Sequence, residues 1–311
     1  MPGDGMVERT PLLDVATQAL LIVGILALAF PIYIALIAAT HDVETVNRLP
    51  MPLLPGTELA ANLRAAWAEG DLGRQLFNTL VQAGGIAFGK VAISILSAFA
   101  IVFFRFPFRM LAFWLIFCSL MLPVEVRIVA TYEVAANALT PAVWIGRTLG
   151  LDSLFAWLTG RDIGFDIKVS LLNSYPGLIL PVVASATATF LFRQFFLTVP
   201  DELVEAAKMD GAGPLRFFWD ILLPLSKTNI AALGVIMFLV GWNQFLWPLL
   251  ITTEAEYRTV IIGLAELMPG PDTLPEWNVA MAAALIAMAP PVLVIVLLQR
   301  LFVKGLISPE K

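Results

Sequence analysis

Apolar residues fill six long stretches of the chain, at about residues 17–39, 79–104, 110–131, 175–193, 229–251 and 279–302. Each is close to the roughly 20 residues that a helix needs to cross a hydrocarbon core. The stretches are continuous rather than alternating, which argues against a β-barrel. The pattern predicts an all-α polytopic membrane protein with six transmembrane helices. Composition agrees: 59% of the 311 residues are hydrophobic and 14% charged, whereas soluble domains carry about 25% charged residues.

The first stretch, Ala19 to Ala39, follows Arg9 and contains Pro31. It is longer than the 7–15 residues or so of a signal-peptide core and lacks a small-residue cleavage site, so it reads as a retained span. Cys118 is the single cysteine, which rules out an intramolecular disulfide. His41 is the single histidine and makes no metal cluster by itself; it reads as a residue near the membrane interface.

An even number of spans puts both termini on one side, and Lys and Arg choose the side. Arg9, Arg105, Arg109, Arg193, Lys208, Arg216, Lys227, Arg300, Lys304 and Lys311 cluster in the shorter polar segments of one face. The opposite face has longer loops and is richer in acids, including Asp42, Glu44, Asp162, Glu254 and Glu276. The expected organisation is therefore a cytoplasmic N-terminus (1–16), a six-span region (17–302) and a cytoplasmic C-terminus (303–311). Three outer loops, 40–78, 132–174 and 252–278, face the other side. The first is rich in proline at Pro50, Pro52 and Pro55. The second holds Trp144, Phe155 and Trp157, with Asp152 as a candidate helix cap. It reads either as amphipathic helices on the membrane surface or as a plain loop with local helix. The third, with Pro269, Gly270, Pro271 and Pro275, reads as an irregular, stiff loop.

The longest interruption on the basic face is 194–228. Pro200 and Asp201 mark a helix start, and Asp201 and Glu202 suit a helix N-terminus. Asp201, Glu205 and Lys208 fall on one polar stripe, opposite Leu203, Val204 and Ala207. Gly211 and Gly213 break this helix, and Pro214 fits the first turn of a second. In that second helix Leu215, Phe218, Leu222 and Leu225 recur at helical spacing, Arg216 pairs with Asp220 four residues on, and Pro224 marks the end. Periodicity alone fits an amphipathic hairpin lying on the membrane. The small residues Ala206, Ala207, Gly211 and Ala212 suit close approach by another backbone.

Several polar residues fall inside the apolar stretches, where charge is costly and usually functional. Lys90 lies near mid-depth of the second. Glu125 and Arg127 lie toward the outer end of the third, and Asn243 and Gln244 toward that of the fifth. Two readings stand: a polar path for an anionic substrate, or an ion pair of Lys90 or Arg127 with Glu125 that holds two spans together. Gly84, Gly89 and Lys90 satisfy G-x-x-x-x-G-K, but Val91 replaces the Ser or Thr that binds Mg²⁺, and the stretch sits inside an apolar helix. Gly84, Gly85 and Gly89 read better as small residues that let helices pack. No nucleotide site, cofactor or nucleic-acid partner is expected of this chain.

Glu205-Ala206-Ala207, Gly211 (after Asp210), Ile221, Leu223 and Pro224 match the fixed positions of the coupling-helix motif of ABC importer permeases, which this chain resembles. KVAISILSAFAIVFFRFPFR (90–109), LMLPVEVRI (120–128), SATATFLFRQFFLTVPDELVEAAKMDGA (185–212), LLPLSKTNIAAL (222–233) and GWNQFLWPLLI (241–251) are similar to the carbohydrate class of that family. Within the class the likeness is to the second permease subunits of sn-glycerol-3-phosphate importers. The segment near 139–172 is longer than the short loop of those subunits.

The resemblance implies a non-catalytic subunit that pairs with a second permease, two nucleotide-binding ATPase subunits that hold ATP and Mg²⁺, and a periplasmic substrate-binding protein. It implies that 201–224 docks on an ATPase subunit. It also implies glycerol 3-phosphate or its glycerophosphodiesters as cargo, or a neutral sugar in the same machinery. An ion-driven secondary transporter would favour repeated, interrupted spans, and Pro290-Pro291 is the one suggestive break. A membrane enzyme would need a nucleophile–base pair or ligand cluster, and none is visible.

Overall fold

The computed structural model describes residues 11–69, 71–119, 122, 124–150, 168–268 and 275–307. Arg9, Asp152, Phe155, Trp157, Asp162, Pro269, Gly270, Pro271 and Lys311 lie outside the described residues, as do the side chains of Glu125, Arg300 and Lys304. The described residues form helices and connecting loops, with no strand among them.

Among the described residues, three helices are long and apolar enough to cross a membrane unaided, Leu12–Ala38, Leu72–Phe103 and Trp277–Gln299. The other three expected spans are each interrupted. The 110–131 stretch is two helices, Arg109–Cys118 and Val124–Ala136. Pro123 directly precedes the second, and proline disfavours helix in the residue before it. The 175–193 stretch is Tyr175–Ile179, a tight turn at Leu180–Val182, and then Ala186–Phe196, bent by 51°. Pro181 interrupts it, and the Ser185 hydroxyl accepts the Ala188 N–H at 3.3 Å to start the next helix. The 229–251 stretch starts earlier, at Lys227, ends at Trp242, and resumes as Leu246–Ile251. Conversely, the helix Trp277–Ile307 runs through Pro290 and Pro291 without interruption, as the expected sixth span does. Membrane helices tolerate proline where neighbouring groups re-satisfy the freed carbonyls.

The third outer loop also departs from expectation, because it contains a helix, Val260–Glu266. Its cause is remote in sequence. The Thr79 hydroxyl accepts the Val260 N–H at 2.8 Å and so starts the helix from another element. In the second outer loop, Thr140–Thr148 is helical and Trp144 is exposed.

The chain divides into two compact units. The first comprises Met1–Leu72 and Leu264–Met288. Asparagine ties organise it: Asn62 donates to the carbonyls of Ala39 (2.9 Å) and His41 (2.8 Å), Asn278 donates to Asn62, and Asn47 donates to the Pro275 carbonyl. His41 bonds the Leu54 carbonyl through Nε2 at 2.9 Å, which makes it a brace for the proline-rich loop.

The second unit comprises Gly73–Gly263 and Ala289–Lys311. Its centre is the Leu72–Phe103 helix. Cβ atoms at Gly85 and Gly89 would lie 2.5 and 2.6 Å from the side chains of Ile179 and Val183, so the interrupted segment seats in a groove that only glycine leaves open. A Cβ at Gly84, by contrast, would meet nothing within 4 Å among the described residues. A Cβ at Gly241 would lie 2.9 Å from the Ala83 Cα. At the start of the same helix, fully buried Asn78 donates to the carbonyls of Glu256 (2.8 Å) and Arg258 (2.9 Å) and accepts from the Tyr175 hydroxyl (2.8 Å). Asn173, in the left-handed region at φ 49°, accepts the N–H groups of Thr253 and Glu254. Two asparagines thus fix the 252–258 loop.

Candidate functional site

The 201–225 segment begins with extended Pro200 and a helix, Asp201–Met209, whose first turn carries Asp201 and Glu202. Both carboxylates favour the positive end of the helix dipole. Gly211, at φ 70°, closes the helix, and the Ala212 N–H returns to the Ala207 carbonyl at 2.9 Å. Pro214 opens Pro214–Phe217, a π-helical turn covers Phe218–Leu222, and Leu223–Leu225 completes the segment. The chain then bends by 73° into Lys227–Trp242, with the Ser226 hydroxyl donating to the Leu222 carbonyl.

The π turn changes which residues face inward. Phe217, Phe218 and Leu222 are buried, whereas Leu215 and Leu225 are exposed, so the expected Leu215–Phe218–Leu222–Leu225 face is corrected. Five residues per hydrogen-bonded turn shift the register that a 3.6-residue period predicts. The buried face meets an aromatic block. Phe218 lies 4.9 Å from Phe99, Phe217 lies 5.3 Å from Phe103, and Phe196 lies 5.9 Å from Phe103, centroid to centroid.

The motif residues divide between two faces. Ala207 is buried in the aromatic block, and Ile221 and Leu223 are half-buried against it. Glu205, Ala206, Asp210, Gly211 and Pro224 are exposed. Among the described residues, and leaving out its two chain neighbours, nothing lies within 4 Å of a Cβ built at Gly211. Met209, Leu215 and Trp219 are exposed beside them, at 83%, 70% and 62%. That is a large apolar surface for a polar loop, interleaved with charge. Arg216 and Asp220 pair at 3.3 Å as expected, but both are solvated, so the pair contributes little.

A second cluster forms around the breaks. Lys90 and Arg127 together line two adjoining cavities of about 270 and 180 Å³. The first is also lined by Ser97, Ser119, Ser185, Thr187 and Thr189, and the second by Thr131, Gln244 and Trp247. Of the polar residues singled out in the apolar stretches, Lys90 and Arg127 line both cavities and Gln244 lines the second. Asn243 is not among the residues lining either cavity, and its side-chain amide donates to the Leu239 carbonyl of the preceding helix. Glu125 sits in the Val124–Ala136 helix. Among the described residues, neither Lys90 nor Arg127 forms an ion pair. The hydroxyls at 185, 187 and 189 were missed, although Ser185-Ala-Thr-Ala-Thr shortly after Pro181 is a polar run inside an apolar stretch. Among the described residues no group of three His, Cys, Asp or Glu side chains is placed to hold a metal.

Comparison with known proteins completes the picture. Residues 90–308 match the family described as "Binding-protein-dependent transport system inner membrane component". The chain is 48% identical over 312 residues to the sn-glycerol-3-phosphate transport system permease protein UgpE of Pectobacterium atrosepticum, covering 98% of this chain and 100% of that one. It is 50% identical over 313 residues to the protein of the same name from Rhizobium meliloti, again covering 98% and 100%. A solved bacterial ABC transporter involved in the import of the acidic polysaccharide alginate has the same fold, with a TM-score of 0.71 at 16% identity, over 96% of this chain and 99% of that one. With its fold and most of its length matched, this chain belongs to the family of binding-protein-dependent transport system inner membrane components.

Proposed function

We propose that this chain is one of two permease subunits of an ATP-driven importer that carries sn-glycerol 3-phosphate, and with it glycerophosphodiesters, across the inner membrane. Both termini and the 201–225 segment face the cytoplasm. Two partner subunits bind ATP and Mg²⁺, and a periplasmic protein delivers the substrate. This chain breaks no bond. Its part is mechanical: it is a two-state element biased by the ATPase on one side and by the loaded binding protein on the other.

The observation that carries this reading is the division of the motif in 201–224. Glu205, Ala206, Asp210, Gly211 and Pro224 are exposed, while Ala207, Ile221 and Leu223 anchor the segment on an aromatic block at the end of the Leu72–Phe103 helix. An outward face offers small residues and charge to a partner; the inward face passes displacement to the membrane helices. The phosphate ester as cargo is supported by near-half identity over the full length to two permeases of that name.

The interrupted helices would also suit an ion-driven transporter, but such a transporter has no use for an exposed docking turn. The deciding experiment is uptake of labelled glycerol 3-phosphate in cells with and without this chain, competed by glycerophosphocholine and by maltose. Loss on deletion, with competition by the phosphate ester alone, supports machine and cargo. Unchanged glycerol 3-phosphate uptake with lost sugar uptake keeps the importer and replaces the cargo.

A further inference from the structure

The two cavities at the interrupted helices combine features that belong together only around an anion. Lys90 is half-buried in the middle of an apolar helix, and Arg127 faces the same space. A cation at membrane depth is normally paired, yet among the described residues these two have no carboxylate partner. Each cation also repels the other across the shared space, so the pair persists at a cost that a counter-anion would relieve.

The third feature is backbone. The Ala186–Phe196 helix starts at the cavity wall, and Ala184, Ser185, Ala186 and Thr187 all line it. Ser185 uses its hydroxyl and carbonyl on the N–H groups of Ala188 and Thr189. The N–H groups of Ala186 and Thr187 are left at the positive end of the helix dipole. The Ser97 and Thr187 hydroxyls make no hydrogen bond among the described residues. By contrast, Ser119 and Thr131 donate to carbonyls of their own helices at 2.6 and 2.8 Å. The adjoining cavity is walled by Ile128, Pro181, Val182, Leu246 and Trp247. The Trp247 ring is fixed by a hydrogen bond from Nε1 to the Gly177 carbonyl.

We propose that Lys90, Arg127 and the N-terminus of the Ala186–Phe196 helix form a seat for the dianionic phosphate of the transported ester, and that the adjoining cavity beside Gln244 and Trp247 takes its hydroxylated carbon skeleton. The inference rests on the importer reading above and adds where this subunit holds the cargo. Two fixed positive charges match a phosphomonoester, leave one unmatched beside a phosphodiester and two beside a neutral sugar. The seat therefore ranks substrates by charge. Its size agrees: both cavities lie below the roughly 300–1,000 Å³ of larger ligand pockets.

The test uses the complete transporter, with partner permease, ATPase subunits and binding protein, in proteoliposomes. Substrate moved per ATP hydrolysed is measured at saturating loaded binding protein, for glycerol 3-phosphate and for glycerophosphocholine. Lys90→Met and Arg127→Met should each lower the glycerol 3-phosphate yield about tenfold, the scale of one lost charged hydrogen bond. ATPase stimulation by loaded binding protein should stay within about twofold of wild type. Glycerophosphocholine should suffer less, Lys90→Arg should restore transport, and Glu125→Gln should change nothing. Three results would overturn the seat alone: wild-type yields in both Met variants, an equal loss in Glu125→Gln (the mark of a structural ion pair), or loss of ATPase stimulation in step with transport. A wild-type transporter that moves maltose and no phosphate ester would remove the proposed cargo and the seat together.

Discussion

The ring of Phe103 meets the ring of Phe217 near edge-on, 5.3 Å between centroids and 63° between planes. This contact joins the last turn of the Leu72–Phe103 helix to the second half of the exposed 201–225 segment. Phe217 is 5% exposed, so its ring is held as a core side chain although Leu215 and Arg216 just before it are exposed.

Phe217→Ala should therefore act through mechanics. Truncating a buried Phe costs about 3–5 kcal/mol, which thermal unfolding in detergent will read as a lowered midpoint. ATPase activity of the assembled transporter should continue while uptake falls, because the segment no longer pushes on the helix. Phe217→Leu, which keeps most of the volume, should recover much of the uptake. Equal uptake in Phe217→Ala and wild type would remove the aromatic block from the transmission route.

Gly211 separates conformation from docking. At φ 70° any L side chain pays about 1–2 kcal/mol, so Gly211→Ala should lower stability modestly. A Cβ there has open space among the described residues, and Gly211 is exposed, so a carboxylate has room beside the turn. Gly211→Asp should leave the chain folded in the membrane and abolish co-purification of the ATPase subunit. Retained ATPase in that variant would sink the docking role of the turn.

Gly85→Leu and Gly89→Leu should fail for a different reason. Each new side chain enters the space of Ile179 or Val183. Overpacking of this kind costs roughly 1–3 kcal/mol or more. Because the displaced segment carries Pro181 and Ser185, transport should drop further than the melting temperature alone accounts for. Gly84→Leu is the control, since position 84 has open space; it should behave as wild type in thermal unfolding and in uptake.

Asn78 offers a test of the 252–258 loop. Asn78→Ala removes the partner of the Glu256 and Arg258 carbonyls and of the Tyr175 hydroxyl, at about 0.5–1.5 kcal/mol for each lost hydrogen bond. Limited proteolysis should then cut within 252–259 faster than in wild type. Tyr175→Phe removes a single bond and should cost about 1 kcal/mol. If the two substitutions cost the same, Asn78 is not the clamp that holds the loop.

The helical membrane fold was legible from apolar run length alone, and the two helices of 201–225 from Pro200, Gly211, Gly213 and Pro214. The interruptions were not. Pro181 coincides with a break, whereas Pro290 and Pro291 do not, because the outcome depends on what re-satisfies the freed carbonyls in three dimensions. The Val260–Glu266 helix was hidden for the same reason: its cap is Thr79, 181 residues away. The inward face of 214–225 was misread because a π turn is a change of period that no fixed spacing anticipates. Lys90, Arg127 and Gln244 could be selected by their cost in an apolar stretch. Asn243 met the same criterion, and its amide donates to the Leu239 carbonyl, a contact that no sequence pattern announces.

The Leu72–Phe103 helix has no break between Lys90 and Phe103. Thirteen residues of rise put those two side chains about 20 Å apart along one rigid rod. A tilt of about 10° pivoting at the Phe103 end sweeps the Lys90 end through roughly 3 Å, the length of one hydrogen bond. The rod therefore has leverage built into its length: a displacement too small to disturb the aromatic packing is large enough to make or lose a polar contact in the cavity. Whatever grips the 201–225 segment needs only a short stroke.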